Sequence, residues 1–346
     1  MRFLHTADLH LDAPVIGLPQ RAAVRRGGLE ALRRMIDYAT EAGIRFFVIA
    51  GDLFDSPHPS AAVRGAVQTM FENAPALRFL IAAGNHDPLP KTGDWCGMNL
   101  PENVYLFPGE LTEIAFPGIT FAGASLTAGN TTHPFAALPT KTGLRVGVFH
   151  GSVGDGEPAY RLDAALVKES GMDYIALGHI HKPADPVQLG QSVVATPGSP
   201  AAHGFDETGK RSFLDVIVNE TGVSATRVRL DGICFYEETL TVDEQATQGD
   251  ILGKMTALCA AHGEKDIYRF RVQGVTAHTI PTALPDYPGL VEVSDETTLP
   301  LSLDSLAEER SLRGFFVKGM LEKIAAADGE RKLLESALRL GLEAFE

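Results

Sequence analysis

The sequence predicts an α/β protein made of a four-layer α/β/β/α sandwich, a second small α+β domain and a C-terminal helical hairpin. Two observations predict this class. Short apolar runs alternate with amphipathic helical patterns, and a strand-rich stretch lies at 115–124. Alternating strands and helices are typical of helices packed in layers on sheets.

Five short apolar runs predict the buried strands of the main domain. Each is rich in Val, Ile, Phe and Leu and is closed by Gly or a polar residue, which is typical of a buried strand. The five runs are Arg2–Thr6, Phe46–Ala50, Arg78–Ala82, Arg145–Phe149 and Tyr174–Leu177. Runs at 213–218 and 224–230, joined by a turn, are expected to complete the sheets.

Three helices are predicted between these strands. The segment 21–43 carries an apolar face and reaches Gly43, a residue that commonly ends a helix. The segment 60–73 begins with Ser60, a favoured N-cap residue. The segment 161–170 predicts a third, shorter helix.

The pattern changes after Leu230. Strands at 235–242 and 267–275 flank a helix at 247–262, and Pro and Gly residues follow. Near the end, apolar residues recur every fourth position from Leu312 to Ile324, and Phe315, Val317 and Leu321 widen this stripe. A second helix follows Gly329. We therefore predict domains at 1–230, 231–280 and 303–346, with a linker at 281–302.

Composition limits the class of protein. The chain has 30 basic and 44 acidic residues and a net charge of −14, which does not suit DNA binding through bulk charge alone. Its three cysteines lack a CxxC pairing and are expected to be thiols of a reducing compartment. No apolar run approaches a membrane span, so we expect a cytoplasmic protein without a membrane partner.

Asp, Asn and His residues, whose side chains can bind metal ions, follow all five apolar runs. Nitrogen and oxygen donors without thiolates suit manganese, iron or zinc. Seven donors are too many for one ion, but they fit two ions about 3.5–4 Å apart that share a carboxylate. The seven are Asp8, His10, Asp52, Asn85, His150, His179 and His181.

A structural interpretation competes with each motif taken alone. A histidine after a strand is commonly a hydrogen-bonded structural residue, and Gly-Asp is a common turn dipeptide. The motifs together favour the metal site, because five of the 11 histidines fall within them.

These motifs resemble those of the calcineurin-like metallophosphoesterase superfamily. Longer stretches resemble the nuclease subunit of the SbcC–SbcD DNA repair complex, especially its YhaO-type bacterial branch. They are IAGDLFD followed by PS, LGHIHKP, and TPGSP with ETG downstream. The likeness covers residues 1 to about 218. Archaeal and eukaryotic relatives often have His where this chain has Asp55, so a role tied to that His does not transfer.

The resemblance implies a four-layer metallophosphoesterase sandwich with a DNA-contacting capping domain at 231–280. It also implies two divalent ions, which we expect to be manganese. One ion would be held by Asp8, His10, Asp52 and His181, and the other by Asp52, Asn85, His150 and His179.

Two catalytic residues are implied beside the ligands. His86 is expected to contact the phosphate and donate a proton to the leaving oxygen. Asp87 is expected to orient His86 by accepting a ring N–H, although a turn residue would look the same.

Substrate contacts are less defined by the sequence. Arg21, Arg25 and Arg26 belong to a basic cluster that could bind DNA phosphates, although a solvated helix face explains them equally well. His203 lies near the expected mouth of the site. His5, within the first strand, is expected to be a core residue.

The favoured function is a metal-dependent DNA exonuclease and endonuclease in double-strand break repair. Its expected partners are DNA, an SbcC-like coiled-coil ATPase gripped by the C-terminal helices, and a second copy of the chain. The alternative is a phosphatase or cyclic-nucleotide phosphodiesterase acting on a small phosphoester, since the same motifs would serve it. An inactive scaffold is disfavoured because no ligand is missing. The hairpin could instead fold back on the parent domain.

Overall fold

The computed structural model describes residues 1–14, 21–130, 135, 143–154, 160–263, 265–284, 287–289 and 291–345. The chain divides into two compact units, Met1–Cys234 and Phe235–Glu346. Within the described residues, no helix combines the length and apolar character needed to cross a bilayer.

The first sheet of the first unit has six strands. They are β1 (Arg2–Thr6), β2 (Phe46–Ala50), β3 (Arg78–Ala82), β4 (Val104–Leu106), β13 (Ser212–Asn219) and β14 (Gly222–Arg229). Their order across the sheet is β14-β13-β1-β2-β3-β4. β1 to β4 run parallel, and β13 and β14 add an antiparallel edge.

The second sheet also has six strands. They are β5 (Thr112–Phe116), β6 (Ile119–Ala124), β7 (Leu144–His150), β10 (Tyr174–Gly178), β11 (Val187–Leu189) and β12 (Ser192–Ala195). Their order is β11-β12-β10-β7-β6-β5, and the four central strands run parallel to one another. Two short strands, β8 (Ser152–Val153) and β9 (Arg161–Leu162), pair separately.

Side-chain alternation along the strands produces the four layers. In β2, Phe47 packs in the core shared with helices α1 (Arg21–Glu41) and α2 (Ala61–Glu72), while its neighbour Val48 packs between the two sheets. Because successive side chains point to opposite faces, a strand covered on both faces is apolar throughout. Helix α3 (Ala164–Glu169) covers the outer face of the second sheet. The predicted α/β/β/α sandwich is confirmed.

Capping side chains and a left-handed glycine determine where the helices of the first unit begin and end. Gly43, just beyond α1, has a φ of 65°, a left-handed conformation that glycine adopts without strain. The Ser60 hydroxyl accepts from the Val63 amide and caps α2. The predicted helix at 161–170 is wrong at its start: Arg161–Leu162 is a strand, and the carboxylate of Asp163 accepts from two amides to begin α3.

The second unit begins with a parallel three-stranded sheet. Its strands are β15 (Phe235–Val242), β16 (Ile267–Val275) and β17 (Val291–Thr298), and helix α4 (Gln248–Ala261) packs on them. Thr247 and Asp250 form a capping box at the start of α4. The predicted β-α-β unit is present, but the predicted linker at 281–302 is wrong over β17, which continues the sheet.

Three helices follow the sheet in the described part of the second unit: α5 (Ser302–Ala307), α6 (Leu312–Ala326) and α7 (Arg331–Glu343). Val317 and Ile324 of α6 are buried against α7, but Leu312 and Phe315 are exposed. Arg339 of α7 is buried and donates to Asp295 of β17 at 2.6 Å. The helices and the sheet therefore share one unit, rather than forming the separate domains predicted at 231–280 and 303–346.

Candidate metal centre

The predicted donors meet where the carboxyl ends of β1, β2 and β3 face those of β7 and β10. All seven predicted donors follow or end these strands. Among the described residues, three groups place their donor atoms within 4.8 Å of one another: Asp8, His10 and His181; Asp8, Asp52 and His150; His10, Asp55 and His86. The structure brings the donors together, and their assignment as ligands stays a prediction.

Left-handed backbone turns direct these side chains. The φ angles are 54° at Asp8, 43° at His10, 49° at Asp52 and 84° at His179. This region is strained for residues with a Cβ, and such strain is commonly held at functional sites. Backbone bonds hold two of these turns together, since the Asp8 and His10 amides donate to the carbonyls of Gly51 and Asp52 at 3.1 and 3.0 Å.

Gly84 lets the loop after β3 approach Asp52. A Cβ at Gly84 would collide with Asp52 Oδ1. The close approach allows the His86 amide to donate to the same oxygen at 2.8 Å. The glycine of this motif is therefore required by the close approach of Asp52.

Asp52 lies between the two predicted ligand sets. Its Oδ2 is 3.6 Å from His10 Nε2 and 3.2 Å from His150 Nε2. One buried carboxylate therefore faces a histidine from each set, which is the arrangement that a bridging ligand requires.

Unpartnered and crowded polar atoms fit two cations. Asp8 Oδ2 is buried and has no hydrogen-bond partner in the described chain, and the Nε2 atoms of His10 and His181 stand 3.0 Å apart. On the other side, Asn85 Oδ1 lies 2.8 Å from His150 Nε2 and 3.2 Å from His179 Nδ1. A buried oxygen without a partner costs free energy, and a cation would satisfy it.

Electrostatics distinguish the histidines of the second set. Burial alone would lower the pKa of His150, but Asp52 and Asp8 outweigh it and raise that pKa to about 9. Burial, with the neighbouring His150, lowers the pKa of His179 to about 4. A cation bound here would therefore displace a proton from His150, since imidazole binds metals only when neutral.

His86 stands at the open side of this cluster. Its side chain is 43% exposed, and its ring lies perpendicular to that of His10 with centroids 4.6 Å apart. Its Nδ1 is 3.2 Å from the Asp55 carbonyl and 3.5 Å from Asp55 Oδ1. The imidazole is thus accessible to a substrate while its backbone is fixed to Asp52.

The orienting role predicted for Asp87 is wrong. Asp87 is buried, and its two oxygens accept from the backbone amides of Phe54 and Gly84 at 3.1 and 2.7 Å. It ties the loop after β2 to the loop after β3, which is the turn role left open by the sequence. The carboxylate beside the His86 ring belongs to Asp55 instead.

Two carboxylates were missed as site residues. Asp55 lies 3.0 Å from His10 Nδ1, and Glu207 lies 2.7 Å from His181 Nδ1. Both belong to stretches that resemble the nuclease family, but spacing alone cannot show which histidine each one contacts. Burial would raise the pKa of Glu207, but bonds from His181 and His203 hold it well below its usual range.

The residues predicted to contact substrate differ in their pairing, exposure and distance from the donor cluster. Arg25 pairs with Asp12 at 2.5 Å, and Arg26 is exposed. The Arg21 side chain lies outside the described residues. His203 is close to the site, with its ring centroid 6.1 Å from that of His10 and its Nδ1 3.3 Å from Glu207.

His5 is a core residue, as predicted. It is fully buried, and its ring nitrogens lie 2.8 Å from the Tyr174 hydroxyl and 3.2 Å from the Leu177 carbonyl. Both nitrogens are satisfied, so its ring has no free position for a ligand.

The fold and the cluster define a metal-dependent phosphoesterase. The chain belongs to the calcineurin-like phosphoesterase family, whose model matches residues 1–183. Members of this family use a dinuclear metal centre, and the groups of His and Asp donors described above are candidates to hold one.

Three curated relatives are similar over most of the chain. The uncharacterized metallophosphoesterase YhaO of Bacillus subtilis (strain 168) is 28% identical over 265 residues, covering 70% of this chain and 64% of that protein. The DNA double-strand break repair protein Mre11 of Methanopyrus kandleri is 24% identical over 357 residues, covering 89% and 76%. The SbcD component of the nuclease SbcCD of B. subtilis is 23% identical over 275 residues, covering 65% and 68%. The match thus spans less than two thirds of YhaO.

Proposed function

We propose that this chain is a manganese-dependent DNA nuclease, with exonuclease and endonuclease activity, that acts in double-strand break repair beside an SbcC-like ATPase. The observation that carries the proposal is His86, an exposed imidazole whose backbone amide is bound to the central carboxylate of the donor cluster. The relatives named Mre11 and nuclease SbcCD support the choice of DNA as substrate.

Two ligand sets are assigned around Asp52. Asp8, His10, Asp52 and His181 form the first position, and Asp52, Asn85, His150 and His179 form the second. Two divalent ions bound there would generate a nucleophile from water at neutral pH and offset the charge that develops on phosphorus. Asn85 contributes a neutral oxygen, which limits the negative charge facing a phosphodiester.

His86 acts on the substrate rather than on the ions. Its ring lies beside the first position and is accessible, so it can hydrogen-bond a phosphate oxygen and donate a proton to the leaving sugar oxygen. Asp55 lies beside Nδ1, which leaves Nε2 of the ring to face the substrate.

A partner would supply most of the DNA-binding surface. The chain carries a net charge of −14, and an exposed apolar patch on α6 includes Leu312 and Phe315, which are 77% and 70% exposed. Exposed apolar patches are common at protein interfaces. An SbcC-like coiled-coil ATPase encoded in the same genome is the partner we assign to this patch, with a second copy of the chain as the alternative occupant.

One observation favours the alternative function, hydrolysis of a small phosphoester by a phosphatase or cyclic-nucleotide phosphodiesterase. The basic cluster on α1 also includes Arg33 and Arg34. Three of its arginines are paired with carboxylates: Arg33 and Arg34 with Glu30, and Arg25 with Asp12. A small substrate would not need that surface.

The distinguishing experiment offers both kinds of substrate. The chain is incubated with manganese and end-labelled duplex DNA, single-stranded DNA, a chromogenic phosphodiester, a phosphomonoester or a cyclic nucleotide. The proposal expects cleavage of DNA and of the chromogenic diester, with stimulation of DNA cleavage by the ATPase. Turnover of the monoester or cyclic nucleotide with intact DNA would support the alternative.

A further inference from the structure

The four histidines of the proposed ligand sets are held in different ways. His10 and His181 face each other through Nε2 and have their Nδ1 atoms against carboxylates. His150 faces Asn85 through Nε2, while its Nδ1 lies 2.9 Å from the Ala50 carbonyl. A partner on the outer nitrogen fixes the ring and sets how basic the inner nitrogen is.

Asp55 supports His10. Its Oδ1 accepts from His10 Nδ1 at 3.0 Å, and the two side chains are 25% and 4% exposed. This bond fixes the neutral tautomer that leaves Nε2 free for a cation. Because a carboxylate withdraws the Nδ1 proton more strongly than a carbonyl does, it also makes Nε2 the better donor.

Glu207 supports His181 through a buried network. Its Oε1 accepts from His181 Nδ1 at 2.7 Å and from the Ser199 hydroxyl at 2.9 Å, and its Oε2 accepts from the His203 amide. Arg211 donates to the same Ser199 hydroxyl at 2.7 Å. The carboxylate is 3% exposed, so its position is fixed by these bonds rather than by solvent.

Among the described residues, no carboxylate supports the second position in this way. The Nδ1 of His150 is bonded to a carbonyl, and its approach to Asp8 is longer, at 3.8 Å. The His179 ring lies edge-on to Tyr160, and no pairing of His179 with a carboxylate occurs in the described chain. Asn85 adds a neutral oxygen where the first position has Asp8.

We propose that Asp55 and Glu207 are positioning residues that make the first position bind a divalent cation more tightly than the second. The inference rests on the ligand sets assigned under the proposed function. The first position has two direct carboxylates, Asp8 and Asp52, and two supporting ones. Among the described residues, the second is assigned only the shared Asp52. The second ion is therefore the one that exchanges with solution and sets the metal concentration needed for activity.

Manganese titration calorimetry on the metal-free full chain tests this without substrate. The wild type should show two classes of site. Asp55→Asn and Glu207→Gln should each weaken the tighter class about 10–100-fold, the usual cost of losing a supporting carboxylate, and leave the weaker class within about twofold. Asn85→Ala should weaken the weaker class instead.

Asp215→Asn is the matched control. It makes the same carboxylate-to-amide change at a contact with Arg2, outside both ligand sets, so both classes should be retained. Circular dichroism establishes that each variant is folded, and Asp55→Asn, at a partly exposed position, tests the idea if Glu207→Gln does not fold.

A single class of site, or carboxylate variants that weaken the second class or both classes equally, would overturn the inference. The two hypotheses fail in different ways. Two unequal classes with no DNA cleavage would reject the nuclease and leave this inference standing. DNA cleavage by a chain with two equal classes of site would support the nuclease and reject this inference.

Discussion

The two compact units differ in where they expose apolar surface. In the first unit, the exposed large apolar side chains are scattered, as at Val187 and Ile217, and several buried polar side chains meet in the donor cluster. In the second, Leu301, Leu312 and Phe315 are between 70% and 83% exposed, although the unit is less than half the size of the first. We propose catalysis in the first unit and partner binding in the second, so substitutions should separate the two roles.

The largest effect should come from the proton donor of the first unit. His86→Ala should lower DNA cleavage about 10²–10⁴-fold, the usual contribution of a general acid, while manganese binding stays intact because the His86 side chain is not an assigned ligand. Cleavage kinetics and metal analysis on the same samples measure both. Asp87→Asn is the control at the neighbouring residue. It weakens the bonds from Asp87 to the Phe54 and Gly84 amides, so it should mainly lower the stability of the protein. Loss of manganese from the His86 variant would remove its assigned role.

A second large effect should follow from weakening the central carboxylate. Asp52→Asn should cost more manganese affinity than Asn85→Ala, because it affects both positions and leaves two cations facing each other across a less negative group. Manganese titration calorimetry of the two variants shows which one loses more affinity. Undiminished binding of two ions by the Asp52 variant would reject the bridging assignment.

A moderate effect should be confined to the second unit. Arg339→Met leaves Asp295 without its cation, and breaking a buried ion pair should lower the unfolding free energy by about 3 kcal/mol. Manganese affinity should not change. The control is Arg331→Met, which removes an exposed arginine that pairs with Glu335. Because Lys332 also lies 3.5 Å from that carboxylate, this change should cost less than about 1 kcal/mol. Scanning calorimetry compares them, and equal losses would mean that the buried pair is not structural.

The smallest effect on stability should come from the exposed patch. Leu312→Ser with Phe315→Ser should change the unfolding free energy by less than about 0.5 kcal/mol per site, as at other exposed positions. The double variant should nevertheless lose co-purification with the SbcC-like ATPase. Leu301→Ser, an exposed apolar position outside α6, is the control. If the double variant still captures the ATPase, the patch is not its docking surface.

The same contrast explains what the sequence could predict. The central strands were predicted almost residue by residue, because a fully buried strand must be apolar throughout. β17 was predicted as a linker because its sequence, VEVSDETT, carries polar residues and follows prolines. In α7, Glu335 and Arg339 are buried and make hydrogen bonds with Arg331 and Asp295. The spacing of apolar residues in the sequence cannot show that these charged residues are buried.

The site divides in the same way. The candidate ligands could be found from strand ends and motifs, since the carboxyl ends of parallel strands converge. The supporting contacts could not. Asp55 and Glu207 lie 45 and 26 residues in sequence from the histidines that they contact. Which imidazole each one meets therefore depends on how the strand ends are arranged in the fold. Asp87 was assigned to His86 by proximity in sequence, and the fold directs it to backbone amides instead.

The central claim is a two-ion centre joined by Asp52 at the ends of the strands. Anomalous diffraction from crystals of the full chain grown with manganese tests it most directly. We expect two peaks about 3.5–4 Å apart, one beside His10 and His181 and the other beside His150 and His179, with Asp52 between them. A single peak, or two peaks without Asp52 between them, would contradict the account.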